Sequence, residues 1–371
     1  MKKKMSRILT VTLLITASVM AQEFSLDMLK NLAEANGIAY IQPLVTGFGT
    51  AMNSGLYNTA KTHGVLGFDI QLKTGIGLAP ANKTSVTTFD FDLSTLDPIT
   101  FDVEGYSITL DPSSIYSNTT SPNVLGGKAV PFTYDENYVT SSVTSQLRTQ
   151  LEAQYPAYTE DQINTILSGM SSEISDAVAE NVSIASIPGL KSIKYFKNLK
   201  TIPFPFPILQ ASVGLPLGIE PSVRLIPAFT LPGDFKEIGK ISAFGAGIKL
   251  DIDRWIPVPL FPVDLAVQTY FQKMNIGEYL TGTSIAYSAI ISKKLLFLTP
   301  YLGVGKESSS FNASYTMEDG VTKIDFDLDG ENDTRFTAGL NIKIAVLQLN
   351  AEFSKGNKYN AAGIGLGVAL R

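Results

Sequence analysis

The sequence predicts an all-β transmembrane barrel of antiparallel strands, about twelve of them with ten or fourteen also compatible, joined to a short N-terminal helix and a mixed, partly helical insert. Three observations predict it. The C-terminal stretch alternates between two chemistries, an exported leader opens the chain, and charge is thin. Positions 335, 337, 339, 341 and 343 carry Arg335, Thr337, Gly339, Asn341 and Lys343, whereas Phe336, Ala338, Leu340, Ile342 and Ile344 lie between them. From 345 to 353 the phase reverses, with Ala345, Leu347, Leu349, Ala351 and Phe353 against Val346, Gln348, Asn350 and Glu352. From 360 to 370, Ala362, Ile364, Leu366, Val368 and Leu370 oppose Gly363, Gly365 and Gly367. Side chains alternate across a strand, so each stretch has one wet and one apolar face. At about ten residues, each has the length that crosses a bilayer when tilted. The wet rows are expected to face a lumen: Arg335, Asn341, Lys343, Gln348, Asn350, Glu352, Gly363, Gly365 and Gly367.

The opening of the chain supplies an address. Lys2, Lys3, Lys4 and Arg7 precede an apolar run, and Val19-Met20-Ala21 offers the small residues a signal peptidase reads, so a signal peptide over 1–21 with cleavage near Ala21 is expected. The apolar run is too short to span a membrane as a helix. The 371 residues contain no cysteine, which removes a lipoprotein attachment site and any disulfide framework. Charged residues make up 17%, compared with the roughly 25% usual for soluble domains. Cleavage removes four basic residues and leaves 25 basic against 34 acidic groups. That balance argues against nucleic acid as a partner, because nucleic-acid binding needs a basic footprint.

Residues 22–37 are expected to hold an amphipathic helix with Leu26, Leu29, Leu32 and Ala33 on one stripe and Gly37 as its stop. It is a candidate plug for the barrel mouth; packing beneath the barrel is the alternative. The first barrel strands are placed in 38–92, at 38–50, 65–78 and 86–92. The region 93–205 reads as an inserted subdomain with a helical hairpin. Val139, Val143, Leu147 and Leu151 form one stripe, and Ile163, Ile166, Leu167, Met170, Ile174 and Val178 the next. Thr159 with Gln162 makes a capping box, and 101–110 retains a short-strand signal.

The remaining barrel strands are placed in 206–371, at 207–217, 219–230, 238–252, 262–273, 281–292, 295–306, 334–344, 345–354 and 359–370. Bacterial barrels have even strand counts, short periplasmic turns and long outer loops. With twelve strands, the tight connections at 217–219, 292–294 and 344–345 share one side and the long ones at 93–206 and 307–333 share the other. Tyr40, Phe204, Phe206, Trp255, Phe261, Phe297, Tyr301 and Tyr359 lie near strand ends, as interfacial girdles require. The proline-rich runs 202–207 and 256–262 are expected at rims, since proline donates no ladder hydrogen bond.

Gly-x-Gly pairs recur at Gly47 and Gly49, Gly75 and Gly77, Gly245 and Gly247, and Gly303 and Gly305. None has the context of a nucleotide-binding turn. Same-face glycines in strands permit bending or close approach of something else, and room for a plug or ligand in the lumen is the favoured reading.

Two regions carry a family resemblance. The first contains Tyr40, Pro43, the Gly47-Phe48-Gly49 step, the run Asn53-Ser54-Gly55-Leu56-Tyr57-Asn58-Thr59-Ala60-Lys61 and Gly67-Phe68-Asp69; the second is 336–371. Together they resemble an uncharacterised family of predicted outer-membrane β-barrel proteins from Bacteroidetes-type bacteria. A looser similarity connects the chain to long-chain fatty-acid transporter barrels, which carry an N-terminal plug. The resemblance implies a barrel in the bacterial outer membrane of a Gram-negative cell, without a substrate. The ending Leu370-Arg371 departs from the aromatic terminus that outer-membrane assembly machinery commonly reads.

An enzyme is not expected. The one histidine, His63, falls in a polar stretch placed on an outer loop, and no Gly-x-Ser-x-Gly is present. The run Asp325, Asp327 and Asp329 begins like a calcium loop, but Phe336 occupies the position of the bidentate glutamate. Those aspartates remain a weak calcium candidate, and no motif asks for a cofactor. The expected partners are the lipid bilayer, the assembly machinery and an apolar small-molecule ligand. The expected role is passive transport of a small apolar or amphipathic molecule, the alternative a non-conducting structural or binding barrel whose insert contacts a partner.

Overall fold

The computed structural model describes residues 34–370, apart from 187, 193, 195, 231–238, 256–261, 278–279 and 317–322. The expected signal peptide, and nearly all of the helix expected over 22–37, lie outside the described residues. The described chain forms two compact units, one of 41–86 with 198–370 and one of 34–40 with 87–197.

Helix α1 spans Glu34–Met52, its residues to Tyr40 belonging to the second unit and those from Ile41 to the first. The strand expected at 38–50 is therefore helix. That stretch is apolar almost throughout, so alternation is ill-defined, while Ile41, Leu44, Val45, Phe48 and Met52 recur at helical spacing and are all buried. Strand β1 follows at Phe68–Ala79.

The second unit contains three short antiparallel pairs: β2 (Thr88–Asp90) with β6 (Thr120–Pro122), β3 (Ile99–Val103) with β4 (Tyr106–Leu110), and β5 (Tyr116–Asn118) with β7 (Thr133–Tyr134). The strand expected at 86–92 is thus no barrel strand; a helical turn at Thr84–Thr87 leads into β2. Glu104 and Gly105, both at positive φ, make the β3–β4 turn. Helix α2 (Glu136–Gln154) buries Val139, Val143, Leu147 and Leu151. Thr159 and Gln162 form a reciprocal capping box on α3 (Glu160–Gly169). The single helix expected after it is two, because Met170 leaves helical geometry (ψ 7°) before α4 (Ser171–Asn181). Tyr40 donates to the Pro188 carbonyl (2.7 Å), and Asn36 is bonded to Asp92 through both amide atoms. Tyr116 donates to the Val182 carbonyl (2.5 Å), and burial pushes its phenol up to about 12.

The barrel resumes with β8 (Ile202–Val213), β9 (Ile219–Thr230), β10 (Lys240–Asp251), β11 (Asp264–Ile276), β12 (Leu280–Ser292) and β13 (Leu298–Thr316). It ends with β14 (Lys323–Asp329), β15 (Thr334–Ile344), β16 (Leu347–Gly356) and β17 (Asn360–Leu370). Each strand pairs with its sequence neighbour, except that β15 passes over β14 to join β13 and that β1 joins β8 on one side and β17 on the other, in register from Phe68↔Leu370 to Leu78↔Asn360. That pairing closes the ring and removes its edges. Strand β14 stands outside it, paired to the distal half of β13, while β15 pairs the proximal half. The result is a closed antiparallel barrel of ten strands plus one extra strand, not twelve. Tight turns use left-handed Leu217, Gly218, Leu296 and Ala345 and share one end of the ring; β13 and β14 project from the other.

The prolines correct a second expectation. Pro203, Pro205 and Pro207 sit inside β8, in register with Leu78, Ile76 and Thr74 of β1. β9 pairs β8 only from Leu209 to Ser212. Over 202–208, then, β8 has one ladder neighbour, and proline is tolerated where no donor is needed.

The wall is inside out compared with a water-soluble fold. Leu302, Phe336, Ile364 and Leu366 face outward, each more than half exposed, while Lys73, Arg224, Gln272 and Asn350 are buried within. The aromatic girdle is thinner than expected. Trp255 and Phe297 are exposed, but Phe204, Phe206, Tyr301 and Tyr359 are buried, as is Tyr40 in the second unit; Phe261 lies outside the described residues. Those inward rings exist because something fills the lumen.

Candidate functional site: a lumen filled by the chain itself

Residues 41–63 run the length of the barrel interior. At the end where β13 and β14 project, Gln42 donates to the Asp329 carbonyl (2.7 Å) and the Glu331 amide donates to Thr46 Oγ1 (3.3 Å). At the tight-turn end, the His63 amide and Nδ1 both meet Glu220 Oε2 (2.8 Å), and the chain reverses through bonds between Leu66, Gly67 and Gly214 into β1.

Glycines make the approach close enough. A Cβ on Gly75 would fall on the Ala51 carbonyl and one on Gly77 on the Gly47 carbonyl, so this face of β1 must be bare for the helix to lie on it. From the helix side, a Cβ on Gly47 would meet the Phe204 ring at 2.5 Å. Phe48 packs edge-on against that ring with centroids 5.4 Å apart. This half of the contact is apolar.

Below it the chemistry changes. A helix ends with four carbonyls lacking intrahelical donors, and its dipole is negative there. Two buried guanidiniums from the wall answer both demands. Arg224 on β9 donates to the carbonyls of Met52 (3.0 Å) and Ser54 (3.2 Å). Arg335 on β15 donates to those of Thr50 and Asn53 (2.8 Å each) and to Ser54 Oγ (2.6 Å). Gln272 on β11 adds a bond to Met52 (2.7 Å) while accepting from Arg224 (2.7 Å). Glu307 pairs with Arg335 at 2.9 Å, which neutralises a charge that would be costly to bury alone.

The irregular segment that follows is held in the same way. Glu352 Oε1 accepts from the Gly55 amide (2.8 Å), and its Oε2 accepts from Tyr301 (3.0 Å). Ser292 Oγ accepts from the Ala60 amide (2.9 Å). Lys249 reaches the carbonyls of Thr59 and Lys61 (3.4 Å each) and pairs with Glu220 at 2.8 Å. Tyr57 seats against Gly303, where a Cβ would collide with its hydroxyl, and meets the Tyr301 ring edge-on at 5.8 Å. Between Tyr57, Arg335 and Glu352 there remains a cavity of about 10 Å³, room for a single water.

The residues expected to face the lumen occupy several roles. Arg335 and Glu352 grip residues 50–55. Asn341, Gln348 and Asn350 are buried in the wall. A Cβ on Gly363 would meet the Glu352 side chain, one on Gly365 the Asn350 amide, and one on Gly367 the strand of Gln71. Lys343 is half-buried at the tight-turn end. Asp325, Asp327 and Asp329 lie on exposed β14, where Asn312 donates to Asp327 (2.9 Å). Among the described residues, no three His, Cys, Asp or Glu side chains could hold a metal ion. The His63 side chain is not free on a loop; Glu220 holds its Nδ1, and Asp69 lies 4.0 Å from Nε2. Sequence reasoning missed Arg224, Glu220, Lys249 and Gln272. Their signal was the same alternation that exposed the last strands, in Glu220-x-Ser222-x-Arg224 and Gln268-x-x-x-Gln272.

A closed ring, polar within and apolar without, defines the class as a membrane-type β-barrel. The chain belongs to DUF6588, a family of unknown function, which matches residues 1–370. No curated protein matches it. Among solved structures it is similar to the N-terminal β-barrel domain of Pseudomonas aeruginosa OprF, with 16% identity and TM-score 0.21 over 35% of this chain and 87% of that one. It is also similar to a loop-deletion mutant of OmpT, an outer membrane protein of Vibrio cholerae, with 16% identity and TM-score 0.22. That match covers 44% of this chain and about half (53%) of OmpT. Ail, the attachment invasion locus protein of Yersinia pestis, matches with 12% identity and TM-score 0.21 over 41% of this chain and 91% of Ail.

Proposed function

We propose that the protein is an outer-membrane barrel kept closed by residues 41–63 of its own chain, with a binding or structural role in which the second unit contacts a partner. One observation carries the closed state: wall side chains from strands around the ring bond the threaded segment, and the cavity beside it between Tyr57, Arg335 and Glu352 is about 10 Å³. The apolar outer face and the expected leader support a bilayer location, reached through export and the outer-membrane assembly machinery. We read no catalytic role, because both nitrogens of His63 face carboxylates instead of a hydroxyl nucleophile.

The experiment compares boiled and unboiled migration of the mature protein from outer-membrane fractions, followed by planar-bilayer recording. The expected outcome is a heat-dependent shift with no conductance. Steady discrete openings sink the closed reading; a soluble protein with no shift sinks the barrel in the membrane.

A second reading has an observation of its own. The helical half of the plug meets an apolar wall, with Leu44 and Phe48 inside and Phe204, Phe206 and Phe311 around it, all buried. A small apolar or amphipathic molecule would have compatible surroundings there once the lower polar contacts release. Uptake of a labelled amphiphile by liposomes holding the protein separates this reading from the first.

A further inference from the structure

We propose that the inner wall of this barrel is a binding site for polypeptide main chain, occupied here by residues 50–63, and that another polypeptide segment can take their place. The inference rests on the closed-barrel reading above and names what the lumen recognises.

The bonds between wall and threaded segment go mainly to amides. Arg224, Arg335, Gln272 and Lys249 donate to carbonyls; Glu352, Ser292 and Glu220 accept from N–H groups. Gln210 and Gln268 both reach the Leu56 carbonyl, at 3.5 and 3.4 Å. Wall hydrogen bonds to side chains of the segment involve Ser54, Tyr57, Thr59, Thr62 and His63. Every polypeptide carries the amides; few carry those side chains in that order.

The chemistry of the grip is unlike that of a simple stopper. Apolar packing would close a lumen without burying charge, and each buried ion costs several kcal/mol of desolvation. Here Arg224 is fully buried and Arg335 nearly so, and both point at carbonyl oxygens. Donors and acceptors on a fixed wall, spaced to meet successive amides, form an address for a backbone. A shaped seat exists for one aromatic side chain, that of Tyr57 against Gly303 and Tyr301. The ligand class is therefore a polypeptide in which an irregular stretch follows a helix end, with an aromatic residue near its middle.

The test uses the full chain. One variant replaces side chains of the segment that make no wall hydrogen bond or ion pair, Asn53→Ala and Asn58→Ala together. The other alters the wall, Arg224→Met with Gln272→Leu. Heat-dependent migration establishes that each has assembled; if the wall variant has not, Gln268→Leu with Gln272→Leu replaces it. Expected in planar bilayers is that the segment variant stays closed and the wall variant conducts at least tenfold more often.

Fourteen-residue peptides are then added to the conducting variant: the sequence of 50–63, a scramble that keeps tyrosine in place, and the native sequence N-methylated at the residues matching Gly55 and Ala60. Block by the first two within tenfold in concentration, and none by the third, is the expected result. The proposal is overturned if the segment variant conducts like the wall variant, if the wall variants stay closed, or if the scramble fails while the methylated peptide blocks. Absence of any heat-dependent shift in the parent overturns the membrane-barrel reading instead.

Discussion

Gly77 shows at residue scale how little room the lumen leaves. Its missing side chain is where the Gly47 carbonyl lies, so helix and strand touch backbone to backbone. Gly77→Val is expected to push α1 off the wall, at about 1–3 kcal/mol for overpacking a tight contact. The measurement is the temperature at which the folded band converts to the unfolded one in a gel series. An unchanged midpoint would mean that the helix does not need this surface. The Gly-x-Gly pattern was legible in the sequence, and so was the idea that it clears space. What it clears space for differs by position: Gly75 and Gly77 admit the helix, Gly303 admits Tyr57, and Gly363 and Gly365 accommodate Glu352 and Asn350 of the neighbouring strand. Spacing alone cannot separate those roles, because the visiting atoms come from distant parts of the chain.

At the scale of elements, β17 was legible almost to the residue and α1 was not. Strand β17 has a face of small residues, Ala361, Gly363, Gly365, Gly367 and Ala369, and a larger apolar face, and only one register puts each in its own medium. Leu366 is 61% exposed on the outer face. Replacing it with Arg is expected to cost about 2–4 kcal/mol near the middle of a bilayer, read from refolding titrations in lipid vesicles. A variant as stable as the parent would put Leu366 outside the lipid. Arg at Gly365 collides instead with Asn350 and Lys73, so it is expected to disturb the wall lining, not the lipid contact. The helix lacks a two-faced pattern, since it is surrounded by protein on all sides within the lumen, and an apolar run of that kind fits either period. Counting 38–50 and 86–92 as barrel strands is what separates the expected twelve from the observed ten.

At the scale of the whole molecule, threading fixes sidedness relationships that the strand count obscured. The tight turns share one end of the ring and the β13–β14 extension marks the other. Short turns face the periplasm in bacterial barrels, so Leu296, 88% exposed at a tight turn, is expected inside the outer membrane and Glu331 outside it. The chain contains no cysteine, which makes single substitutions clean reporters. Glu331→Cys is expected to react with a membrane-impermeant maleimide on intact cells and Leu296→Cys only after permeabilisation. The reverse pattern would invert the barrel. The same geometry explains the buried aromatics: rings expected at the lipid interface, such as Phe204 and Tyr301, turn inward because the lumen contains protein for them to pack on.

The sequence by itself determined the wall: strand faces, the phase of the closing strands, and a chain without cysteine. Those properties are local, set by alternation between neighbours a few residues apart and by the opposed demands of lipid and lumen. Only the tertiary structure decided what occupies the lumen and how many strands surround it. The groups that meet there, Arg224 with Met52 or Arg335 with Asn53, stand 172 and 282 residues apart in the chain. Main-chain carbonyls, the atoms those arginines hold, are identical at every position and leave no trace in a sequence.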